Sequence, residues 1–124
     1  MKVIKTIQAP DAIGPYSQGI DSGDLIFTSG QIPINPETGM LIVGDFKEEV
    51  LQVLNNLDAI LKESGSSLKK ALKLTVFLTD LSNFSDLNDV FSTYFKGKFP
   101  ARSAVQVSAL PMNARIEIEA IGMR

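Results

Sequence analysis

Two residues of this 124-residue chain have the makings of a reaction centre: Arg102, preceded by Phe99-Pro100-Ala101, and Glu117 on the following strand-like segment. An arginine stays charged and presents a planar fork that matches a carboxylate. A carboxylate nearby can orient a water molecule or balance that charge. By type and spacing alone, the two could equally be a surface ion pair, and the residues leave both readings open.

Composition narrows the remaining chemistry. There is no histidine and no cysteine. Histidine bases, H-E-x-x-H zinc sites, thiolate nucleophiles, disulfides and iron–sulfur clusters are therefore excluded. Any reaction must use arginine, lysine, carboxylates, tyrosine, hydroxyls, amides, backbone or water. No G-x-G-x-x-G, Walker A or G-x-S-x-G segment is present, so no cofactor is implied, and no D-x-D cluster suggests a metal. Ser66-x-x-Lys69 and Ser67-x-x-Lys70 match S-x-x-K, but they fall in a loop without companion motifs and read as solvated residues.

Twelve Lys and Arg against fourteen Asp and Glu give a net charge of −2. With a pI near 5.0 the chain offers no basic stripe for phosphates, so no nucleic-acid partner is expected. No apolar run approaches the roughly 18 residues of a membrane span. The N-terminus lacks the apolar stretch of a signal peptide. A soluble, cytoplasmic protein is the expectation. Hydrophobic residues at 44 % suffice for a core, and without a linker or repeat, residues 1–124 read as one domain.

Several strands, a helix, a strand, a helix and two strands must position the candidate residues. Val3–Ile7, Tyr16–Ile20 and Leu25–Thr28 read as strands. Asn35-Pro36-Glu37-Thr38-Gly39 reads as a turn, with proline presetting φ and glycine supplying a positive one. Asp45 should cap a helix, with Glu48 completing a capping box and Gly65 ending it. Val50, Leu54, Leu57 and Leu61 follow at helical spacing. Leu74–Thr79 alternates as a strand. A second helix is expected from Asn83 to Phe95, stopped by Gly97, and strands from Ser103 to Leu110 and Ala114 to Met123. The order predicts an α+β fold with two helices on one face of a mixed sheet.

Strand alternation puts Ile116, Ile118 and Ala120 on one face and Arg115, Glu117 and Glu119 on the other. In the preceding strand Val105, Val107 and Ala109 alternate with Arg102, Ala104 and Gln106. The apolar sets should meet the helices. The other face would then carry Arg102, Gln106, Glu117, Glu119, Lys73, Thr75 and Phe77. Such a face either meets water or packs against copies of itself around a polar pocket.

At these residues the sequence resembles the RidA (YjgF) family of reactive-intermediate deaminases. The likeness is carried by Ala12-Ile13-Gly14-Pro15-Tyr16-Ser17-Gln18-Gly19, Thr28-Ser29-Gly30-Gln31-Ile32-Pro33 and Asn35–Gly39. Further matches are Lys73–Leu81, Phe99-Pro100-Ala101-Arg102-Ser103 and Ile116-Glu117-Ile118-Glu119-Ala120-Ile121. The resemblance implies a chorismate-mutase-like subunit in a barrel-like homotrimer, with sites at the subunit interfaces. It implies cofactor-free hydrolysis of 2-imino acids, such as 2-iminobutanoate and 2-iminopropanoate, to 2-keto acids and ammonium. On that likeness Arg102 would clamp the substrate carboxylate, Glu117 would place the attacking water, and Tyr16 would close the pocket with its hydroxyl. Asn88 would support the pocket edge, while Gly30 and Ala104 would offer main-chain contacts. Many relatives carry cysteine where Ala104 stands, so thiol-based switching is not expected here. Two alternatives accompany this reading: a non-catalytic trimer that binds small keto or amino acids, and an RNA-cleaving translation inhibitor.

Overall fold

The computed structural model describes residues Met1–Arg124. Its central element is a six-stranded sheet in the order β1-β2-β3-β8-β6-β7. The strands are β1 (Lys2–Ile4), β2 (Gly19–Asp21), β3 (Leu25–Thr28), β6 (Ala71–Leu78), β7 (Ala101–Gln106) and β8 (Ile116–Met123), and β4 (Ile34–Asn35) with β5 (Met40–Leu41) makes a separate small hairpin. β6 and β7 are parallel and the other pairings antiparallel. Parallel neighbours require a crossover, and helix α2 (Phe84–Phe95) supplies it.

Helix α1 (Phe46–Glu63) buries Val50, Val53, Leu54, Leu57, Ile60 and Leu61 in one cluster with Leu74, Val76 and Leu78 of β6 and Ile116 and Ile118 of β8. Leu87, Phe91 and Phe95 of α2 join the same cluster. The expected α+β fold, with two helices on one face of a mixed sheet, is the one observed. A carboxylate oxygen of Asp45 accepts the Lys47 N–H at 2.9 Å and caps α1. Gly65, at φ 80°, follows its end.

Several details differ from the sequence reading. β1 is Lys2–Ile4 rather than Val3–Ile7, β2 is Gly19–Asp21 rather than Tyr16–Ile20, and β7 is Ala101–Gln106 rather than Ser103–Leu110. Ser66, expected to be solvated, is buried, with its hydroxyl donating to the Met123 carbonyl. The capping box expected of Glu48 does not close, as Asp45 caps α1 through the Lys47 N–H alone, and the acid buried in the first turn is Glu49, which pairs with Arg115. Arg115 also donates to the Gly44 carbonyl at 2.9 Å, so it ties α1 to β8 and does not share the open face with Glu117. α2 ends at Phe95 as expected, but the residue that caps it in the left-handed conformation is Lys96 (φ 53°, ψ 45°), one before Gly97.

The largest difference moves Arg102 to the other side of the sheet. Cross-strand partners point to the same face, and the register pairs Arg102 with Leu74, Ala104 with Val76 and Val105 with Phe77. Leu74 and Val76 are fully buried beneath the helices, so Arg102 and Ala104 lie on the helical side. Val105, 46 % exposed, lies with Phe77 and Glu117 on the open side. Alternation assigned the face of β7 wrongly because both faces carry apolar residues there. An apolar set predicts burial without saying against what.

Candidate functional site

β7 is an edge strand, and beyond it α2 supplies the surface on which Arg102 rests. The guanidinium carbon lies 5.1 Å from the ring centroids of both Phe84 and Phe91. Aromatic faces attract a cation without neutralising it. None of the ion pairs in the structure involves Arg102. Partial burial pushes its pKa below the ordinary arginine value, although an arginine stays charged regardless. This is a pre-positioned, unpaired cation. It lines a cavity of about 280 Å³ with Asn88 and Ser92 of α2 and with Phe99 and Pro100 before β7. Ala104 packs its side chain against the core and leaves its main chain on the sheet edge.

Glu117 lines a different cavity, of about 500 Å³, together with Tyr16, Gly30 and Gln31. One structural device makes room for its carboxylate. Gln31 exchanges both backbone hydrogen bonds with Ile118, at 2.9 and 3.0 Å. Between that bridge and the Phe27–Ile121 pair, the β3 side carries one residue more than β8. The Thr28 hydroxyl oxygen fills the break by accepting the Ala120 N–H at 2.9 Å. The bulge presses Gly30 against Glu117: a β-carbon at Gly30 would stand 2.6 Å from a carboxylate oxygen. Only glycine leaves the Glu117 carboxylate in place here. Burial, and secondarily the charge of Glu119, push the Glu117 pKa above the usual glutamate value. Tyr16 is 53 % exposed on the same cavity, and its N–H donates to the Gly14 carbonyl at 2.9 Å.

The candidate residues therefore form two groups within one chain. Tyr16, Gly30 and Glu117 meet in one cavity, and Arg102 and Asn88 in another. The structure does not bring Arg102 and Glu117 together, because their side chains leave opposite faces of the sheet. One group could clamp an anion. The other could place a water or take up a proton.

Two buried polar residues that hold the walls of the Glu117 cavity were given no role from sequence. The Gln18 side chain accepts the Thr6 N–H at 2.7 Å and donates to the carbonyls of Thr6 (3.0 Å) and Pro10 (2.8 Å). It thereby shapes the loop that runs into the Glu117 cavity. Asn56 of α1 donates to the Ile34 carbonyl at 2.9 Å and holds the segment after Gln31. In sequence each is one more amide, and only burial distinguishes them. Gln18→Ala strands several of these backbone groups, so a loss of about 2–3 kcal/mol in stability is expected, measurable by urea unfolding. A midpoint unchanged from wild type would deny Gln18 this role.

Residues 6–123 match the family described as Endoribonuclease L-PSP. The chain is 51 % identical over 123 residues to a RutC family protein of Pyrococcus abyssi, covering 99 % of this chain and 97 % of that one. It is 46 % identical over 123 residues to the 2-iminobutanoate/2-iminopropanoate deaminase of Homo sapiens, covering 99 % of this chain and 90 % of the relative. Among solved structures, Escherichia coli TdcF with bound serine matches with a TM-score of 0.95 at 44 % identity, covering 100 % of this chain and 99 % of that one.

Proposed function

The chain belongs to the Endoribonuclease L-PSP family, which includes the YjgF, RutC and RidA proteins, and from that premise we propose that it hydrolyses 2-imino acids to 2-keto acids and ammonium. The observation that carries the proposal is a guanidinium stacked on two phenyl rings with no acidic partner of its own. Such a group is partly desolvated in advance, and a small carboxylate completes its hydrogen bonds. A charge-assisted pair of this kind contributes roughly 1.5–3 kcal/mol.

Separation of the two groups across the sheet implies that a working site takes Arg102 and Asn88 from one subunit and Tyr16, Gly30 and Glu117 from another. A homotrimer is the assembly proposed. The open face supports it, because Val105, beside Phe77, and Phe27, farther along the same face, are both exposed. The free edge of β7, carrying the Ala104 main chain, lies beside the Arg102 group. Edge strands with unpaired backbone groups are ready contact surfaces.

In the assembled site Arg102 fixes the substrate carboxylate and so sets the position of C2. Glu117, as carboxylate, accepts a proton from water while the water oxygen bonds to C2 and the C=N electron pair moves to nitrogen. Glu117 returns that proton to the carbinolamine nitrogen, then takes the hydroxyl proton as the C=O bond forms and the C–N bond breaks, and the departing ammonia carries this proton away as ammonium. The Tyr16 hydroxyl donates to the oxygen or nitrogen at C2. An iminium carbon is already electrophilic, so positioning rather than a strong base supplies most of the rate.

The direct test generates 2-iminobutanoate with a threonine dehydratase and traps the imine with semicarbazide. Less trapped product in the presence of the protein is expected, and trapping at the uncatalysed level would defeat the proposal. A serine-bound relative keeps a binding role in view. Retention of a 2-keto acid without faster imine loss would favour that role. The ribonuclease in the family description finds little support in this chain, which lacks histidine and carries a net charge of −2.

A pH prediction follows from Glu117. Burial, and after it the like-charged neighbour Glu119, raise its pKa, and the water-activating form is the carboxylate. Activity should therefore fall as pH drops through the raised value. Glu119→Gln removes the repulsion and should move that acid limb of kcat/KM to lower pH. An unmoved or upward-shifted limb would contradict the role given to Glu117.

A further inference from the structure

The turn between β7 and β8 carries a backbone conformation that its residues do not explain. Met112 and Asn113 both have left-handed φ, 56° and 57°. Asparagine tolerates this region through its short polar side chain, and glycine enters it without steric conflict. Methionine does neither. Strain of this kind collects where a side chain is needed for function. Met112 is 59 % exposed, so it is not there to fill the core. It lines the Glu117 cavity together with Ile13, which is 88 % exposed on the N-terminal loop, and with Ile32, Ile34 and Pro111. The cavity thus has a polar part at Glu117 and Tyr16 and an apolar part built by residues that gain nothing from solvent.

We infer that Met112, with Ile13, forms the subsite for the substrate side chain and tunes the enzyme toward 2-imino acids with longer apolar side chains. The inference rests on the hydrolase reading above. With C2 at the Glu117 carboxylate, the substituent on C3 and beyond has the apolar part of the cavity to occupy. An unbranched thioether side chain adapts to substituents of different shape. Met112 holds that surface in place through a strained backbone that a glycine would relax.

The test uses imines made from L-alanine and L-leucine by an L-amino acid oxidase, trapped with semicarbazide, for wild type, Met112→Gly and Ile13→Ala. Both variants should lower the leucine-to-alanine ratio of kcat/KM by about tenfold, the scale of a few buried methylene contacts. Met112→Gly should also melt no lower than wild type, because it relieves the left-handed strain. An active wild type whose ratio is the same in both variants overturns this inference alone. A marked loss of melting temperature in Met112→Gly also overturns it, since the side chain would then be structural. A wild type that accelerates loss of neither imine overturns the hydrolase reading, and the subsite with it.

Discussion

Arg102→Ala is expected to lower kcat/KM for 2-iminobutanoate hydrolysis by at least about a hundredfold, because the clamp both binds the carboxylate and places C2 against the water. The fold should survive the change. The guanidinium bonds to nothing in its own chain that would be left unsatisfied, and it lies over the Phe84 and Phe91 rings rather than inside the core. Arg102→Lys separates charge from geometry: it keeps the cation but loses the bidentate fork, so about a tenfold deficit is expected. Keto-acid production by Arg102→Ala at the wild-type rate would remove Arg102 from the mechanism.

Glu117→Gln should cost on the order of a hundredfold to a thousandfold in kcat, the usual scale for a general base. The amide fills the same space above Gly30 but cannot take a proton. Paired with the arginine variant, it also tests where the site lies. Arg102→Ala and Glu117→Gln chains, each inactive alone, should complement when they assemble together. In a ring of three with sites between neighbours, every mixed trimer restores one site, so random mixing should return about a quarter of wild-type activity. No recovery in verified mixed trimers would place both residues in the same subunit's site, against their positions on opposite faces of the sheet. Complementation above that fraction would point to another ring geometry.

Much of the fold was legible because its signals are local. The apolar spacing from Val50 to Leu61, the Asp45 cap, the Asn35–Gly39 turn and the alternation of Leu74, Val76 and Leu78 each involve residues a few positions apart. Short-range geometry decides such features, and the chain carries that geometry in residue order. The end of α2 at Phe95 was legible, but its cap was assigned to Gly97 because Lys96 accepts a left-handed conformation that its side chain does not advertise. Gln18 and Asn56 went unassigned because their partners, Thr6 and Ile34, come from elements that only folding brings near.

The functional residues divide in the same way. Composition alone narrowed the candidates: with histidine and cysteine absent, arginine, lysine, carboxylates, tyrosine, hydroxyls and amides remained, and the family resemblance picked out Arg102 and Glu117 among them. Their grouping was decided by tertiary structure. Alternation along β7 could not say which face α2 would cover, since Val105 and Ala104 are both apolar enough to be buried. The parallel register against β6, a contact across 28 positions of chain between Leu74 and Arg102, put the guanidinium under the helix and left Val105 open. Side-chain period is a property of one strand, whereas the face that becomes interior depends on what packs against it. For that reason the chain could name an arginine and a glutamate, but only the folded sheet could set them on opposite sides.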